Sequence, residues 1–225
     1  MLPLRDSTPR RRFPIINYLI ILITIFVFLF QITAPDFEEF IYQYGFVPAR
    51  FNFFNLESYQ YLIYSIFLHG GIFHIASNLW FLRIFGDNVE DRLGHIFYLF
   101  FYLIGGIAAI FAQYIFSPSS TIPMIGASGA ISAVTGAYFV FFKRSKIEAL
   151  VPDFIGFLHI VELPSTFFLG YWFLIQVFSG LGSLVTFDLN QGGVAWFAHI
   201  GGFLYGLYMG NKVKSLKLKV RNKSY

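Results

Sequence analysis

The sequence predicts an all-α membrane protein, a bundle of six transmembrane helices with a water-accessible cavity open to the outer face. Three observations carry that expectation. Of the 225 residues 56% are hydrophobic and only 12% charged, with a mean hydropathy of +0.64, outside the soluble globular range. The apolar residues fall in blocks of membrane-spanning length. Basic residues collect at alternate ends of those blocks, as they do in multi-pass proteins.

The first span is IINYLIILITIFVFLFQITA, residues 15–34, with the ~20 residues needed to cross the hydrocarbon. It is too long for the core of a cleaved signal. Pro35, Asp36, Glu38 and Glu39 end it, and an aromatic-rich stretch follows to about Leu68. The second span runs from about His74 to Leu93 and the third from Ile96 to Phe116, before the breaker-rich loop SPSSTIPM. The fourth covers about Gly126–Phe142, the fifth Thr166–Leu184 and the sixth Val194–Asn211. This divides the chain into a basic tail (1–13), a six-helix core (14–211) and a second basic tail (212–225), with no room for a separate soluble domain.

An even number of spans puts fifteen of the sixteen Lys and Arg on one side and leaves Arg50 opposite. Both termini are therefore expected in the cytoplasm, in a multi-pass protein of a prokaryotic cell membrane. The net charge of +4 resides in tails and short loops, without a basic face interleaved with aromatics, so nucleic acid is a poor partner. The absence of cysteine excludes disulfides and thiolate chemistry.

The fourth span begins IGASGAI (125–131), where one serine sits among small residues. Its 17 residues measure ~25 Å against a core ~30 Å thick. Its start should therefore lie below the outer boundary, where backbone ends are tolerated only inside protein or beside a wet cavity. Ser128 lies ~21 Å above Phe142, and His199 ~18 Å above Asn211 on the sixth span, so they share a depth. Gly129, Ala133 and Ala137 recur every four residues on the fourth span, as Gly202, Gly206 and Gly210 do on the sixth. Small residues at that spacing let helices approach closely in lipid. A serine and a neutral histidine brought together can act as nucleophile and general base.

HGGIFHIASN (69–78) supplies a third element. His74 and Asn78 share one helix face and, with the backbone N–H of Ser128, are candidates to bind a developing oxyanion. A metal held by His69, His74 and His199 is a competing reading, but no acidic residue stands beside them at ligand spacing. Elsewhere Arg83 with Asp87 and Glu90 reads as a structural ion-pair cluster, and Glu90 is expected to face a neighbouring segment. Gln113 and Gln176 read as packing residues able to bond across helices, and His95 and His159 as interfacial.

These residues together resemble the rhomboid family of intramembrane serine proteases. The matches are His69, His74 and Asn78 in H-x4-H-x3-N, Gly126-Ala127-Ser128-Gly129 as GxSG, and Ala198-His199-Ile200-Gly201-Gly202 with the following Gly206. FGDNVEDRLG (85–94) is similar to the family's second-helix ending. The resemblance covers nearly the whole chain and implies a compact rhomboid-like bundle. It also implies a Ser128–His199 dyad with no third acidic member and no cofactor, and an oxyanion site from Asn78, His74 and the Ser128 N–H. The implied partners are lipids and transmembrane protein substrates, which enter laterally beside the fifth helix and are cut near the outer end of their own transmembrane helix. Many relatives carry an aromatic four residues after the nucleophile, packed on the catalytic histidine; here that position is Ser132. Its hydroxyl is a candidate to hold the imidazole, and Tyr138 and Tyr205 are candidates to replace the aromatic. Two other readings are a catalytically silent relative that binds transmembrane helices and a small-solute transporter. The second would lead one to expect repeated halves with broken helices, which the sequence lacks.

Overall fold

A computed structural model describes residues 1–185 and 193–223. Helix α1 spans Ile15–Ile32, α4 Ile72–Leu93, α5 His95–Phe116, α6 Ser128–Phe141, α7 Ser165–Val185 and α8 Trp196–Lys223. Between α1 and α4 lie two short helices, α2 (Phe37–Tyr44) and α3 (Gln60–Phe67), with two 3-10 turns. α1, α5 and residues 165–184 of α7 are each long and apolar enough to cross a bilayer. The segment Leu56–Phe67 and α4 meet at 84° and pass that test as one broken span. The break between them, residues 68–71, includes Gly71, whose φ of 152° is open to glycine.

The all-α expectation needs correction. Strands β1 (Leu2–Asp6), β2 (Lys146–Pro152) and β3 (Leu158–Pro164) form an antiparallel sheet in that order. Leu2 pairs with Leu150, and Lys146 with Pro164. Ile147 and Ala149 point into the core from β2, while Lys146–Glu162 and Arg5–Glu148 ion pairs lie on the solvent side. Both basic tails are thus structured for much of their length: the first supplies β1, and α8 continues through Lys223. Alternation over seven residues is a weak signal in a chain this apolar, and β1 acquires its partner only from 141 to 148 residues away.

Most buried polar side chains of the bundle are paired, as a medium without water demands; among the described residues Asn78 Nδ2 and the Tyr102 hydroxyl are the exceptions. Glu90, fully buried at the end of α4, accepts from the N–H groups of Ile16 (2.9 Å) and Asn17 (2.7 Å) and so caps α1. His95 bonds the same carboxylate. Asn17 donates to the Leu82 carbonyl and accepts from Tyr98. Gly86 makes room for it, since a Cβ there would lie 2.1 Å from Asn17 Oδ1. The expected Arg83 cluster is not formed: Asp87 pairs with Arg10, and Arg83 is exposed.

The two most intimate neighbours are α6 and α8. A Cβ on Gly202 would stand 2.2 Å from the Gly129 carbonyl oxygen, and one on Gly136 would stand 2.2 Å from that of Phe203. Small residues therefore bring the two backbones into contact. α5 seals the same seam, because a Cβ on Gly129 would meet Ala109 at 2.5 Å and one on Gly201 would meet Ala112 at 2.2 Å.

Candidate active site

Ser128 is the first residue of α6, two residues later than the sequence-based start, and His199 lies in the first turn of α8. Ser128 Oγ and His199 Nε2 are 2.8 Å apart, a hydrogen bond between helices that meet through glycine. The loop leading to Ser128 is held at several points. Gly126 N–H donates to the Ser65 carbonyl at 2.8 Å, and Met124 exchanges backbone hydrogen bonds with Phe46. Gly126 adopts φ of 114°, a left-handed conformation suited to glycine, and a Cβ there would strike His74 Nε2 at 2.7 Å.

His69 is fully buried, and both its ring nitrogens are bonded to backbone. Nδ1 donates to the Phe67 carbonyl, and Nε2 accepts from Ala127 N–H at 3.5 Å. That leaves it no lone pair for a metal. Gln31 of α1 grips its backbone on both sides. His69 therefore acts as a strut under the GxSG loop.

His74 Nδ1 accepts from Gly70 N–H at 3.3 Å, so in the neutral ring the proton is on Nε2, the nitrogen beside Gly126. Asn78 Nδ2 is buried and has no partner among the described residues. An unbonded amide donor inside a protein is costly. Here it lines the same cavity as Ser128, His74 and His199, about 780 Å³ in volume. Hydroxyl and amide groups from Gln113, Ser117 and Thr135 also line that space, against apolar walls from Ile125 and Trp172. Among the described residues no side chain caps α6, so its first N–H groups, including that of Ser128, are donors a ligand could use. The arrangement sets a serine hydroxyl on an imidazole nitrogen at the edge of a space that His74 and Asn78 also line. Groups of these types are able to perform acyl transfer.

Ser132 does not hold the imidazole. Its hydroxyl donates to the Ser128 carbonyl at 2.6 Å, within its own helix. Tyr138 donates to Asp6, and Tyr205 packs on Phe101. The rings beside His199 are Trp172 on α7 (centroids 6.0 Å apart) and Trp196 (6.3 Å). A residue read as packing is placed here too: Gln176 Oε1 lies 2.8 Å from His199 Nδ1. Its signal in the sequence is an uncharged amide in an apolar span, which marks a polar partner without naming it. Gln113 caps α8 by accepting from Phe197 N–H at 3.0 Å.

A model of the Rhomboid domain matches residues 56–215, well over half the chain. Among curated relatives, RHOMBOID-like protein 6, mitochondrial, of Arabidopsis thaliana is 30% identical over 149 residues, covering 66% of this chain and 42% of its own length. Presenilin-associated rhomboid-like protein, mitochondrial, of Homo sapiens is 28% identical over 154 residues, covering 65% and 36%. Rhomboid-like protein 11, chloroplastic, of Arabidopsis thaliana is 24% identical over 163 residues, covering 72% and 55%. The chain thus spans between about a third and just over half of these relatives' lengths.

Proposed function

The chain belongs to the rhomboid family, and on that premise we propose that it is an intramembrane serine endopeptidase that cuts transmembrane proteins near the outer membrane face. One observation carries the reading: the 2.8 Å contact between Ser128 Oγ and His199 Nε2 at the wall of a cavity that polar side chains share with apolar ones.

In the proposed reaction, Ser128 Oγ attacks the scissile carbonyl carbon as its proton passes to His199 Nε2. The new C–O bond leaves a negative oxygen, which the Ser128 N–H, Asn78 Nδ2 and His74 Nε2–H stabilise. Collapse breaks the C–N bond, and the imidazolium gives its proton to the departing amine. Water then enters and attacks the acyl carbon as His199 takes its proton; the ester C–O bond breaks, the imidazolium returns the proton to Ser128 Oγ, and a carboxylic acid leaves.

The protease core is assigned to residues 14–211, with six crossings: α1, α4, α5, α6, α7 and α8. The basic residues support a cytoplasmic location for both ends and an outward-facing cavity that admits the hydrolytic water. A prokaryotic cell membrane is the proposed location; mitochondria and chloroplasts are named only for the relatives. Lipids surround the bundle, and substrate helices enter from the bilayer beside α7.

The test is covalent labelling of the purified protein with a fluorescent serine-directed phosphonate, comparing wild type with Ser128→Ala. The reading requires labelling of wild type and none of the variant. An unreactive wild type that still binds transmembrane helices would favour the catalytically silent alternative.

A further inference from the structure

His199 has two ring nitrogens, and only one can face Ser128. As a base it must present a bare Nε2 and carry its proton on Nδ1. A neutral imidazole in water exchanges freely between both forms, so something in the protein has to choose.

We propose that Gln176 is the positioning residue that makes this choice, holding His199 in the tautomer able to take the serine proton. The hydrogen bonds around Gln176 dictate it stepwise. Gln176 Nε2 donates to the Trp172 carbonyl at 3.2 Å, and a carbonyl can only accept. The amide oxygen is therefore the atom turned toward His199, 2.8 Å from Nδ1. An amide oxygen cannot donate, so the proton between them belongs to Nδ1. Nε2 is then bare, and the hydrogen of the 2.8 Å contact with Ser128 Oγ must come from the serine. Three hydrogen bonds in series, from α7 to α8 to α6, leave one consistent arrangement of protons.

The geometry suits a fixed part. Gln176 is 5% exposed and cannot swing into solvent. Its amide is neutral, so it orients the ring without placing a second charge in a medium that penalises charge. Trp172 contributes its carbonyl to Gln176 and its indole to the flank of the imidazole, so one turn of α7 limits both the tilt and the rotation of the ring. A histidine at the start of α8 is thus oriented from α7, a helix that holds neither the nucleophile nor the oxyanion donors.

The catalytic consequence rests on the peptidase reading, but the tautomer belongs to the resting protein and is measured without substrate. Full-length protein labelled with ¹⁵N-histidine is examined by NMR in bilayers, with His199 assigned by difference from His199→Gln. In wild type Nδ1 is expected to be protonated and Nε2 bare. Gln176→Met, close in volume and without an acceptor, should give a mixture of tautomers. It should also slow phosphonate labelling about 10- to 100-fold, with an unchanged KM for a transmembrane substrate. Gln176→Glu restores the acceptor and adds a negative charge, so it should recover the single tautomer and move the acidic limb of the labelling-rate profile to higher pH. A purely structural role would reproduce neither the tautomer change nor that shift. Protonated Nε2 in wild type, or an unchanged tautomer and rate in Gln176→Met, would overturn the proposal. A wild-type His199 that is Nδ1-protonated yet never labels would support the assignment of Gln176 and count against the peptidase reading.

Discussion

Gly206 of α8 lies directly on the main chain of Ala133 in α6: a Cβ at Gly206 would come within 2.0 Å of the Ala133 carbonyl oxygen. Nothing at that distance is a movable side-chain end, so even one methyl must push the helices apart. His199 is borne on α8 and Ser128 on α6. The separation that makes room for the methyl therefore also stretches their 2.8 Å contact.

Gly206→Ala should lower phosphonate labelling by about a hundredfold, the scale expected for misplacing reacting groups by an ångström. Overpacking should lower stability by about 1–3 kcal/mol. Gly170→Ala in α7 is the control, since the Cβ it introduces would meet Phe139 at 3.8 Å, an ordinary van der Waals contact. It should label at the wild-type rate. Labelling rates and unfolding midpoints for both variants check this, and equal rates would show that the glycine seam does not set the geometry.

Asn78 leads to the opposite pairing of effects. Its buried Nδ2 has no partner among the described residues, so removing it relieves a desolvated donor. Asn78→Ala should unfold at the same temperature as wild type or higher. If the amide stabilises an oxyanion, kcat should fall by about 10²–10³ with little change in KM. Loss of activity with gain of stability separates a catalytic donor from a packing residue, and loss of both would assign Asn78 to the core.

Local pattern made part of this legible. Apolar runs of membrane length exposed α1, α5 and α7, because hydropathy is a property of a continuous segment. The four-residue spacing of Gly202, Gly206 and Gly210 is likewise a periodicity of one helix. What could not be read depends on pairings remote in sequence. β1 docks on β2 across 141 to 148 residues, and Gln176 meets His199 across 23. Ser132 stands four residues after Ser128, a position from which the sequence alone offers its hydroxyl to the imidazole. Its hydroxyl is satisfied by the Ser128 carbonyl one turn earlier, the default for a helical serine. The Arg83 cluster failed for a related reason: spacing along α4 took no account of Arg10, which reaches Asp87 from the N-terminal segment.

Glu90 should matter to stability and little to chemistry. It satisfies two N–H groups at the start of α1 and bonds His95, all while buried. Glu90→Ala strands those donors and should cost about 2–3 kcal/mol. Glu90→Gln keeps one acceptor and should cost less. Thermal unfolding in detergent ranks the three proteins. A labelling rate per folded molecule equal to wild type would show that the cap supports the fold without reaching the site.

Asp6 makes the docking of β1 sensitive to pH. Burial raises its carboxyl above the ordinary value of 3.8, against hydrogen bonds with Tyr138 and Thr8 that favour the anion. Asn88 also donates to it, at 2.8 Å. With the folded pKa above the unfolded one, the folded form holds the proton more tightly. The stabilising contribution is complete below pH 3.8 and declines as pH rises through the raised folded value. β1 should therefore exchange its amide hydrogens more readily, relative to intrinsic rates, above that window than below it. Asp6→Asn stays neutral and keeps an oxygen to accept from Tyr138, so its protection should be flat across the same range. Hydrogen exchange of residues 2–6 in both proteins measures the difference, and a wild-type profile as flat as the variant's would show that the charge on Asp6 does not govern how the strand is held.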